Sequence, residues 1–368
     1  MLRSPVARPT APAIALAIAT LLAATAQSAT PKSDGEQIAA AASIGKDVTA
    51  VGADSFAAIS VGFPDGVRGY PDIPYQTLSG YRPMKLDLFL PPDRFKSAGP
   101  RPWVLYIHGG GWVGGGPRRS AAYQDWPRVL ASLAAKGYVV TSVAYRFANE
   151  APFPAAIQDV KAAIRWLKAN AAKYNLDPER GMTWGQSAGG QLAALAAVTC
   201  GVAALSPAAR VTPNTTTVEL QASTTAGADA QNDCVRGAVA WFGIYDFGKL
   251  ALNGPNGQPG PQSLFLGCGA EACTRDKLDR ASPVHYVDAK DPPIFLMHGD
   301  KDQTVPLAQS QEFEAALKSA GVTTRLVVVP GVGHSWIGPT LEATQAASRQ
   351  ALVQSVDFIE STIGDTKR

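Results

Sequence analysis

Short apolar runs alternate with helical patterns along most of this 368-residue chain. Residues 103–107 and 138–144 are apolar runs of strand length, and residues 156–171 place apolar side chains at helical spacing. Strands that alternate with helices predict an α/β fold, in which a mainly parallel sheet is covered by helices on both faces. Such sheets bind ligands at the carboxyl ends of their strands, so chemistry is expected in the loops that follow the strands.

The same patterns continue to the C-terminal end of the sequence. Further strands are predicted at residues 85–90, 182–184, 239–242, 294–297 and 326–329. Further helices are predicted at residues 188–198, 309–320 and 343–363. The polar residues 206–232 follow neither pattern and predict a surface loop inserted between two elements.

Composition narrows the class of protein. Hydrophobic residues make up 46% of the chain and charged residues 17%, which supplies a large core and excludes a disordered chain. The formal net charge is +3, and Arg3 and Arg8 near the N-terminus contribute two of those charges. The charge without those two, about +1, gives no reason to expect a nucleic-acid partner.

The N-terminal residues follow the pattern of an exported protein. Arg3 and Arg8 precede an alanine-rich apolar stretch from Ile14 to Ala24, and Ala24-Thr25-Ala26 supplies small residues at the −3 and −1 positions of a cleavage site. We therefore predict a signal peptide at residues 1–26 and a secreted or periplasmic protein without stable membrane insertion. The alternative is an uncleaved anchor, although the apolar stretch is about half as long as a spanning helix requires.

Two regions follow the predicted leader. Residues 27–66 are small and weakly patterned, and predict a loosely packed N-terminal arm. Residues 67–368 carry the dense alternation of strands and helices and predict one α/β domain.

The cysteine count is even, which suits an oxidising compartment. Cys268 and Cys273 are close together in a glycine-rich segment, whereas Cys200 and Cys234 bracket the polar insertion. We predict one disulfide within each of these pairs. Four cysteines allow three pairings, so the connectivity stays open at this point, and the spacings do not favour the alternative of a metal site.

A candidate nucleophile lies in the pattern Gly185-Gln186-Ser187-Ala188-Gly189, between a predicted strand and a predicted helix. Such a turn pushes the serine oxygen out of a strained backbone, and the following helix N-terminus favours developing negative charge. The pattern alone occurs by chance in roughly one chain in ten. Its strand-turn-helix context favours Ser187 as a nucleophile over the alternative, an inert serine in a glycine-rich turn.

A serine nucleophile needs a base within hydrogen-bond reach. The chain contains four histidines. His334 lies just past the last predicted strand, and in folds of this kind the base comes last in the chain. The other three histidines are interpreted as structural: His108, His285 and His298.

The acid that orients such a base is expected in the loop after the preceding strand. Residues 298–306 form that loop and contain two aspartates. Asp302 is predicted to orient the imidazole and to stabilise its charged form, with Asp300 as the alternative. The order Ser187, Asp302, His334 is the order expected for an α/β-hydrolase.

Three glycines after a predicted strand supply candidate donors for an oxyanion. His108-Gly109-Gly110-Gly111-Trp112 follows residues 103–107, and glycines let backbone N–H groups point into a site without side chains in the way. The predicted donors are the N–H groups of Gly110, Gly111 and Ala188, and His108 is expected to shape the loop.

The same loop also matches a dinucleotide-binding fingerprint. Gly109, Gly111 and Gly114 have the required spacing, and Arg146 after the next strand is placed to bind a 2′-phosphate. This pattern is the basis of a rival interpretation, a nucleotide-dependent oxidoreductase. It is disfavoured because Gly115-Gly116-Pro117 follows where the phosphate-binding turn should open into a helix.

Taken together, these motifs are similar to those of secreted carboxylesterases of the α/β-hydrolase superfamily. The HGGGW loop resembles the hormone-sensitive-lipase-like group, and the combination is closest to the bacterial feruloyl and acetyl-xylan esterase-like branch. The matching stretches are residues 86–91, 108–112, 145–146, 150–155, 184–190, 298–302 and 333–334. Gln186 departs from this pattern, because relatives often carry an acid beside the nucleophile.

The resemblance implies an α/β-hydrolase domain that hydrolyses carboxylic esters without a metal or an organic cofactor. A small-molecule or polysaccharide-linked ester, with a short or aromatic acyl group, is the implied substrate. Four aromatic residues near the motifs are candidates for the walls of its pocket, with core packing as the alternative: Trp112, Trp336, Tyr245 and Phe247. Residues 248–282 are expected to border the pocket, stiffened by the predicted Cys268–Cys273 bond.

Two other functions remain open. A serine exopeptidase would use the same residues, although related peptidases usually carry a large N-terminal propeller. A non-catalytic binding module on the same fold is the second alternative, and the complete set of catalytic residue types argues against it.

Overall fold

A single twisted sheet organises the described part of the chain. The computed structural model describes residues 59–207, 232–253, 256, 258–268 and 272–365. The strands are β1 (Val61–Gly62), β2 (Arg68–Gln76), β3 (Met84–Leu90), β4 (Arg101–Ile107), β5 (Val139–Val143), β6 (Leu176–Gln186), β7 (Ala238–Trp241), β8 (Ile294–Gly299) and β9 (Thr324–Val329). Their order in the sheet is β1-β2-β3-β5-β4-β6-β7-β8-β9.

The sheet is antiparallel at one edge and parallel elsewhere. β1, β2, β3 and β5 pair antiparallel with one another in that order. From β5 to β9 every neighbouring pair is parallel. β4 is buried along its whole length, which explains why it reads as a continuous apolar run.

Helices cover both faces of the sheet, as predicted for an α/β fold. They are α1 (Trp126–Ala134), α2 (Ala155–Ala169), α3 (Ala171–Tyr174), α4 (Ala188–Val198), α5 (Pro261–Leu266), α6 (Arg275–Ala281), α7 (Ala308–Ser319) and α8 (Leu341–Ile363). One apolar core contains residues of α2, α4 and α7. The other core contains residues of α1 and α8, so these two helices lie on the opposite face.

The sequence pattern located most elements but not the antiparallel edge. The predicted strand at 182–184 lies within the much longer β6, which continues to Gln186. β2 was not predicted, and β1, which is Val61–Gly62, pairs with it at the edge of the sheet. The boundary between an N-terminal arm and the domain at residue 67 stays a prediction, and β1 lies on the N-terminal side of it. Residues 248–282, expected to border the pocket, include α5 and α6.

The two predicted disulfides are both present. Cys200 is bonded to Cys234, and Cys268 is bonded to Cys273. The predicted signal peptide, the arm up to residue 58 and most of the predicted insertion lie outside the described residues. Within the described ranges, no helix has both the length and the hydropathy needed to cross a membrane.

Candidate active site

Ser187 lies on a sharp turn between β6 and α4. Its backbone has φ 51° and ψ −122°, a conformation that L-residues rarely adopt. The glycines on either side of the serine, Gly185 and Gly189, are required because a side chain would have no space there. A Cβ at Gly185 would overlap the carbonyl oxygen of Gly189, and a Cβ at Gly189 would overlap that of Ile107. The strained turn is thus packed tightly against the end of β4.

His334 lies directly against this serine. Its Nε2 is 3.0 Å from Ser187 Oγ, and its Nδ1 is 2.7 Å from Asp302 Oδ2. A carboxylate only accepts hydrogen bonds, so Nδ1 carries a proton and donates it, which leaves Nε2 free to accept from the Ser187 hydroxyl. The three residues predicted from sequence are therefore brought together in one hydrogen-bonded chain.

The loop that carries His334 approaches β8 closely. The Lys301 N–H donates to the Val332 carbonyl oxygen over 3.0 Å. A Cβ at Gly299 would overlap that same oxygen, so only glycine permits the approach. His334 itself packs edge-on against the Phe242 ring, with ring centroids 4.6 Å apart. These contacts fix the imidazole between the acid and the serine.

Asp302 is fully enclosed and accepts several hydrogen bonds. Its Oδ1 accepts from the backbone N–H groups of Thr304 and Val305, over 2.8 and 2.9 Å. Burial alone would raise the pKa of Asp302. Hydrogen bonds from His298 and His334 outweigh that effect and hold the pKa well below its ordinary value. The carboxylate is therefore charged at neutral pH.

The alternative acid has a different role. Asp300 Oδ1 accepts from the Gly331 N–H over 2.7 Å, which ties the loop after β8 to the loop that carries His334. His285 pairs with a different carboxylate, since its Nε2 is 3.0 Å from Asp279 Oδ1. The sequence preference for Asp302 and His334 thus matches the geometry.

The glycine loop after β4 lies beside the nucleophile. A Cβ at Gly109 would come within 3.2 Å of Ser187 Cβ, so the backbone passes close to the serine. Gly110 and Gly111 have φ values of 123° and 60°, which favour glycine. The predicted third donor, Ala188, is the first residue of α4. Among the described residues, the N–H groups of these three have no backbone acceptor.

His108 bonds to the backbone of the glycine loop. It is buried, and its Nδ1 donates to the Gly109 carbonyl oxygen over 2.7 Å. Burial lowers the pKa of His108 to about 4, so the ring is neutral at physiological pH. Tyr145 stacks on this ring and donates its hydroxyl to the His108 carbonyl oxygen over 2.9 Å. The predicted loop-shaping role agrees with these contacts.

The sequence of this chain also matches a known protein family. The BD-FAE family matches residues 86–317, which spans strands from β3 to β8 and includes Ser187 and Asp302. The chain belongs to the BD-FAE family. His334 follows the matched range, and the structure places it beside the two residues within it.

Individual relatives of this BD-FAE member are esterases. The Mycobacterium tuberculosis esterase LipQ is 32% identical over 72% of this chain and 56% of its own length. LipC from the same organism is 29% identical over 72% of this chain and 62% of its own length. The chain thus spans little more than half the length of these curated relatives.

The chain is also similar to solved structures of other proteins. A truncated carbohydrate esterase from gut microbiota is 28% identical and has a TM-score of 0.62, over 82% of this chain and 98% of the other. The bifunctional GH43-CE protein of Bacteroides eggerthii is 32% identical, also with a TM-score of 0.62, over 82% of this chain and 38% of that one. These similarities agree with the α/β-hydrolase fold.

The four aromatic residues predicted to wall the pocket are buried in this BD-FAE member. Trp112 is 1% exposed, and the other three are fully buried: Trp336, Tyr245 and Phe247. A side chain without exposed surface cannot contact a substrate in this conformation. The prediction that these side chains form the pocket walls is therefore wrong, and core packing describes them.

The backbone conformation at Trp112 and Trp336 explains why their rings point into the core. Trp112 and Trp336 have φ values of 58° and 65°, so the chain turns just after the glycine loop and just after His334. Trp112 then stacks on Phe265 of α5, with ring centroids 4.3 Å apart. Its Nε1 donates over 3.1 Å to the buried Gln191 of α4. The ring anchors the glycine loop instead of facing the site.

Segment 248–282 does border the glycine loop. A Cβ at Gly111 would come within 3.2 Å of Pro261 Cβ, at the start of α5. Phe265 of the same helix supports Trp112, as described above, and its carbonyl oxygen accepts from the Phe153 N–H over 2.6 Å. Pro261 was not among the predicted site residues, because its sequence context, just before a short apolar run, carries no catalytic motif.

The dinucleotide-binding interpretation conflicts with two contacts. The Arg146 guanidinium is already paired with the buried Asp159, over 2.8 Å, and is not free for a phosphate. The glycine loop also continues through turns to α1, which begins at Trp126, and so does not open directly into a helix. Neither feature required by the fingerprint is present at residues 109–146.

Proposed function

We propose that this chain is a serine esterase that hydrolyses carboxylic esters through Ser187, His334 and Asp302. The observation that carries the proposal is the hydrogen-bonded chain from Ser187 Oγ through His334 to Asp302 Oδ2, with heavy-atom distances of 3.0 and 2.7 Å. This arrangement provides a nucleophile, a base and an acid that orients the base. Membership of a family with esterase relatives supports the same chemistry.

The reaction proceeds as a two-step acyl transfer. Ser187 Oγ attacks the ester carbonyl carbon while His334 Nε2 takes the hydroxyl proton. The tetrahedral intermediate collapses when His334 returns that proton to the leaving alcohol oxygen, and the acyl group stays on Ser187. Water, deprotonated by His334, then attacks the acyl carbon, and the bond to Ser187 Oγ breaks as His334 returns the proton to that oxygen, which releases the carboxylic acid and restores the free serine. Asp302 stays ionised and stabilises the imidazolium in both steps.

The N–H groups of Gly110, Gly111 and Ala188 stabilise the negative oxygen of the tetrahedral intermediate. Free donors aimed at that oxygen are usually a large catalytic factor, about 10²–10³ in rate for one donor. The start of α4 adds favourable helix-dipole potential at the same point.

The substrate class that we propose is an ester of a carbohydrate, with a short acyl group such as acetyl or an aromatic one such as feruloyl. The related carbohydrate esterase and the GH43-CE protein support the sugar-linked alcohol. Since the four aromatic candidates are buried, we propose Val113 and Pro261 in their place as side chains that contact the acyl group. Both flank Gly111, and Val113 is 37% exposed.

An exported location fits this substrate. Two disulfides within the described residues suit an oxidising compartment outside the cytoplasm. We therefore propose a secreted or periplasmic enzyme, which would meet polymeric esters directly.

Hydrolysis assays on the full chain test the proposal. p-Nitrophenyl acetate, butyrate and octanoate, a feruloyl ester and acetylated xylo-oligosaccharides would be compared in wild type and Ser187→Ala. We expect hydrolysis that disappears in the variant, and labelling of the wild type alone by a fluorophosphonate probe. Folded protein that hydrolyses none of these esters and takes up no probe would refute the esterase and favour a binding module.

A further inference from the structure

We propose that His298 is a positioning residue for the catalytic acid, holding Asp302 with a second imidazole hydrogen bond. His298 Nε2 is 3.2 Å from Asp302 Oδ2, the same oxygen that accepts from His334. The inference rests on the proposed function, since it concerns the acid of the proposed triad. Sequence analysis interpreted His298 only as a structural histidine, although it lies four residues before Asp302.

The protonation of His298 follows from its neighbours. Its Nε2 is also 2.9 Å from the Val305 carbonyl oxygen, which can only accept, so Nε2 carries the proton. Its Nδ1 is 2.7 Å from Ser310 Oγ and accepts from that hydroxyl. The single Nε2 proton is therefore donated to the Val305 carbonyl oxygen, and Asp302 Oδ2 lies 3.2 Å from the same nitrogen, within reach of that proton.

This arrangement fixes the carboxylate in two ways. It links the end of β8 to Val305, so that the turn containing Asp302 is closed by one ring. It also completes the hydrogen bonding of a carboxylate that is wholly buried: two backbone donors serve Oδ1, and two imidazoles serve Oδ2. A buried charge is costly unless its acceptor sites are filled, so each donor contributes to keeping Asp302 ionised and oriented.

Few other ionisable groups bear on this site. Within the described residues, His298 from β8 and His334 from the loop after β9 are the ionisable side chains that bond to Asp302. Asp300 and Lys301 of its own loop lie 3.8 Å from each other, and Asp300 bonds to Gly331. α7 presents the uncharged Ser310 to His298. A change in pH dependence after substitution of His298 is thus attributable to the Asp302–His334 pair.

A pair of amide substitutions tests the donor. In His298→Gln the side-chain nitrogen reaches the position of Nε2, whereas in His298→Asn it reaches only the position of Nδ1. With one donor lost, the carboxylate attracts the imidazolium proton of His334 more strongly. For His298→Asn we expect kcat/KM to fall about tenfold, as for one hydrogen bond to a charged group. The acid limb of its pH–rate profile, where activity falls as the pH is lowered, should move roughly half a pH unit upward. His298→Gln should restore most of the lost kcat/KM and most of the wild-type pH dependence.

Controls separate positioning from general damage. Ser310→Ala removes a hydrogen bond from the same ring without removing a donor from Asp302, so it should lower the melting temperature without moving the acid limb. An unmoved acid limb in folded His298→Asn, or equal shifts in the Asn and Gln variants, would overturn the inference. If His298→Asn does not fold, a shifted acid limb in His298→Gln would overturn it instead. Residual activity in Ser187→Ala would refute the proposed function itself.

Discussion

Two loops of the site begin with the same dipeptide and use it differently. His108-Gly109 opens the glycine loop at the end of β4, and His298-Gly299 opens the acid loop at the end of β8. Both histidines are buried. His108 bonds to the backbone of its own loop, and its Nε2 has no hydrogen-bond partner among the described residues. His298 uses both ring nitrogens, and one of them reaches the carboxylate of Asp302.

The difference shows what each loop must hold. The glycine loop presents uncharged N–H groups, so it needs a fixed backbone path and a histidine that stays neutral. The acid loop presents a buried charge, so it needs donors. Substitutions in the two loops should therefore impair the enzyme in different ways: by displacing backbone donors in the glycine loop, and by disturbing a buried charge in the acid loop.

The largest effect is expected from removal of the charge in the acid loop. Asp302→Asn keeps the shape of the side chain but no longer favours the imidazole tautomer whose Nδ1 donates, and we expect kcat to fall about 10⁴-fold. Steady-state kinetics on a p-nitrophenyl ester measure this loss. Asp300→Asn is the matched control, since its carboxylate bonds to Gly331 and not to His334. A comparable loss of kcat in folded Asp300→Asn would contradict the assignment of the acid.

In the glycine loop, the corresponding substitution adds a side chain where there is no space for one. A Cβ at Gly110 would overlap the Gly114 carbonyl oxygen, and the φ of 123° is itself unfavourable for alanine. We expect Gly110→Ala to displace a donor and to reduce kcat about 10²–10³-fold. Gly116→Ala is the control, because a Cβ there meets no atom within 4 Å. If both alanine variants kept wild-type kcat, Gly110 would not be part of the oxyanion site.

Sequence reasoning located these two loops because their chemistry is local. Both follow apolar strands, and their glycines and aspartates are adjacent in the chain. It did not identify β2, in which Pro71 and Pro74 interrupt the expected alternation. Prolines are tolerated there because β2 lies near the antiparallel edge of the sheet.

The aromatic candidates failed for a different physical reason. Trp112 and Trp336 lie beside site residues in the sequence, but a positive φ at each turns the ring into the core. The second donor on Asp302 was missed as well, because the hydrogen bond from His298 depends on how the acid loop folds back. Adjacency in sequence predicted the loops, whereas side-chain direction required the structure.

The neutral state of His108 predicts a pH effect on stability that is separate from catalysis. Burial lowers its pKa to about 4 in the folded protein, against an ordinary value of 6.5. The unfolded chain therefore binds more protons as the pH falls from about 6.5 to 4, and stability is lost across that window. We expect this group to contribute a loss of about 3 kcal/mol in the free energy of unfolding by pH 4.

Urea unfolding at several pH values measures this contribution. His108→Asn is the comparison, since its amide can replace Nδ1 as a donor to Gly109 but does not titrate. The variant should lose less stability than wild type between pH 6.5 and 4. Parallel curves for the two proteins would show that His108 is not the group responsible.

The smallest effect is expected from the hydroxyl that supports the glycine loop. Tyr145→Phe keeps the ring stacked on His108 but leaves the buried His108 carbonyl oxygen without its 2.9 Å donor. We expect a loss of about 1–2 kcal/mol in the free energy of unfolding, the usual cost of one unsatisfied buried acceptor. Because only Gly109 separates His108 from the Gly110 and Gly111 donors, kcat should fall a few-fold while the acid limb stays where it is. An acid limb that moved in Tyr145→Phe would mean that the two loops share one electrostatic role, against the distinction drawn between their histidines.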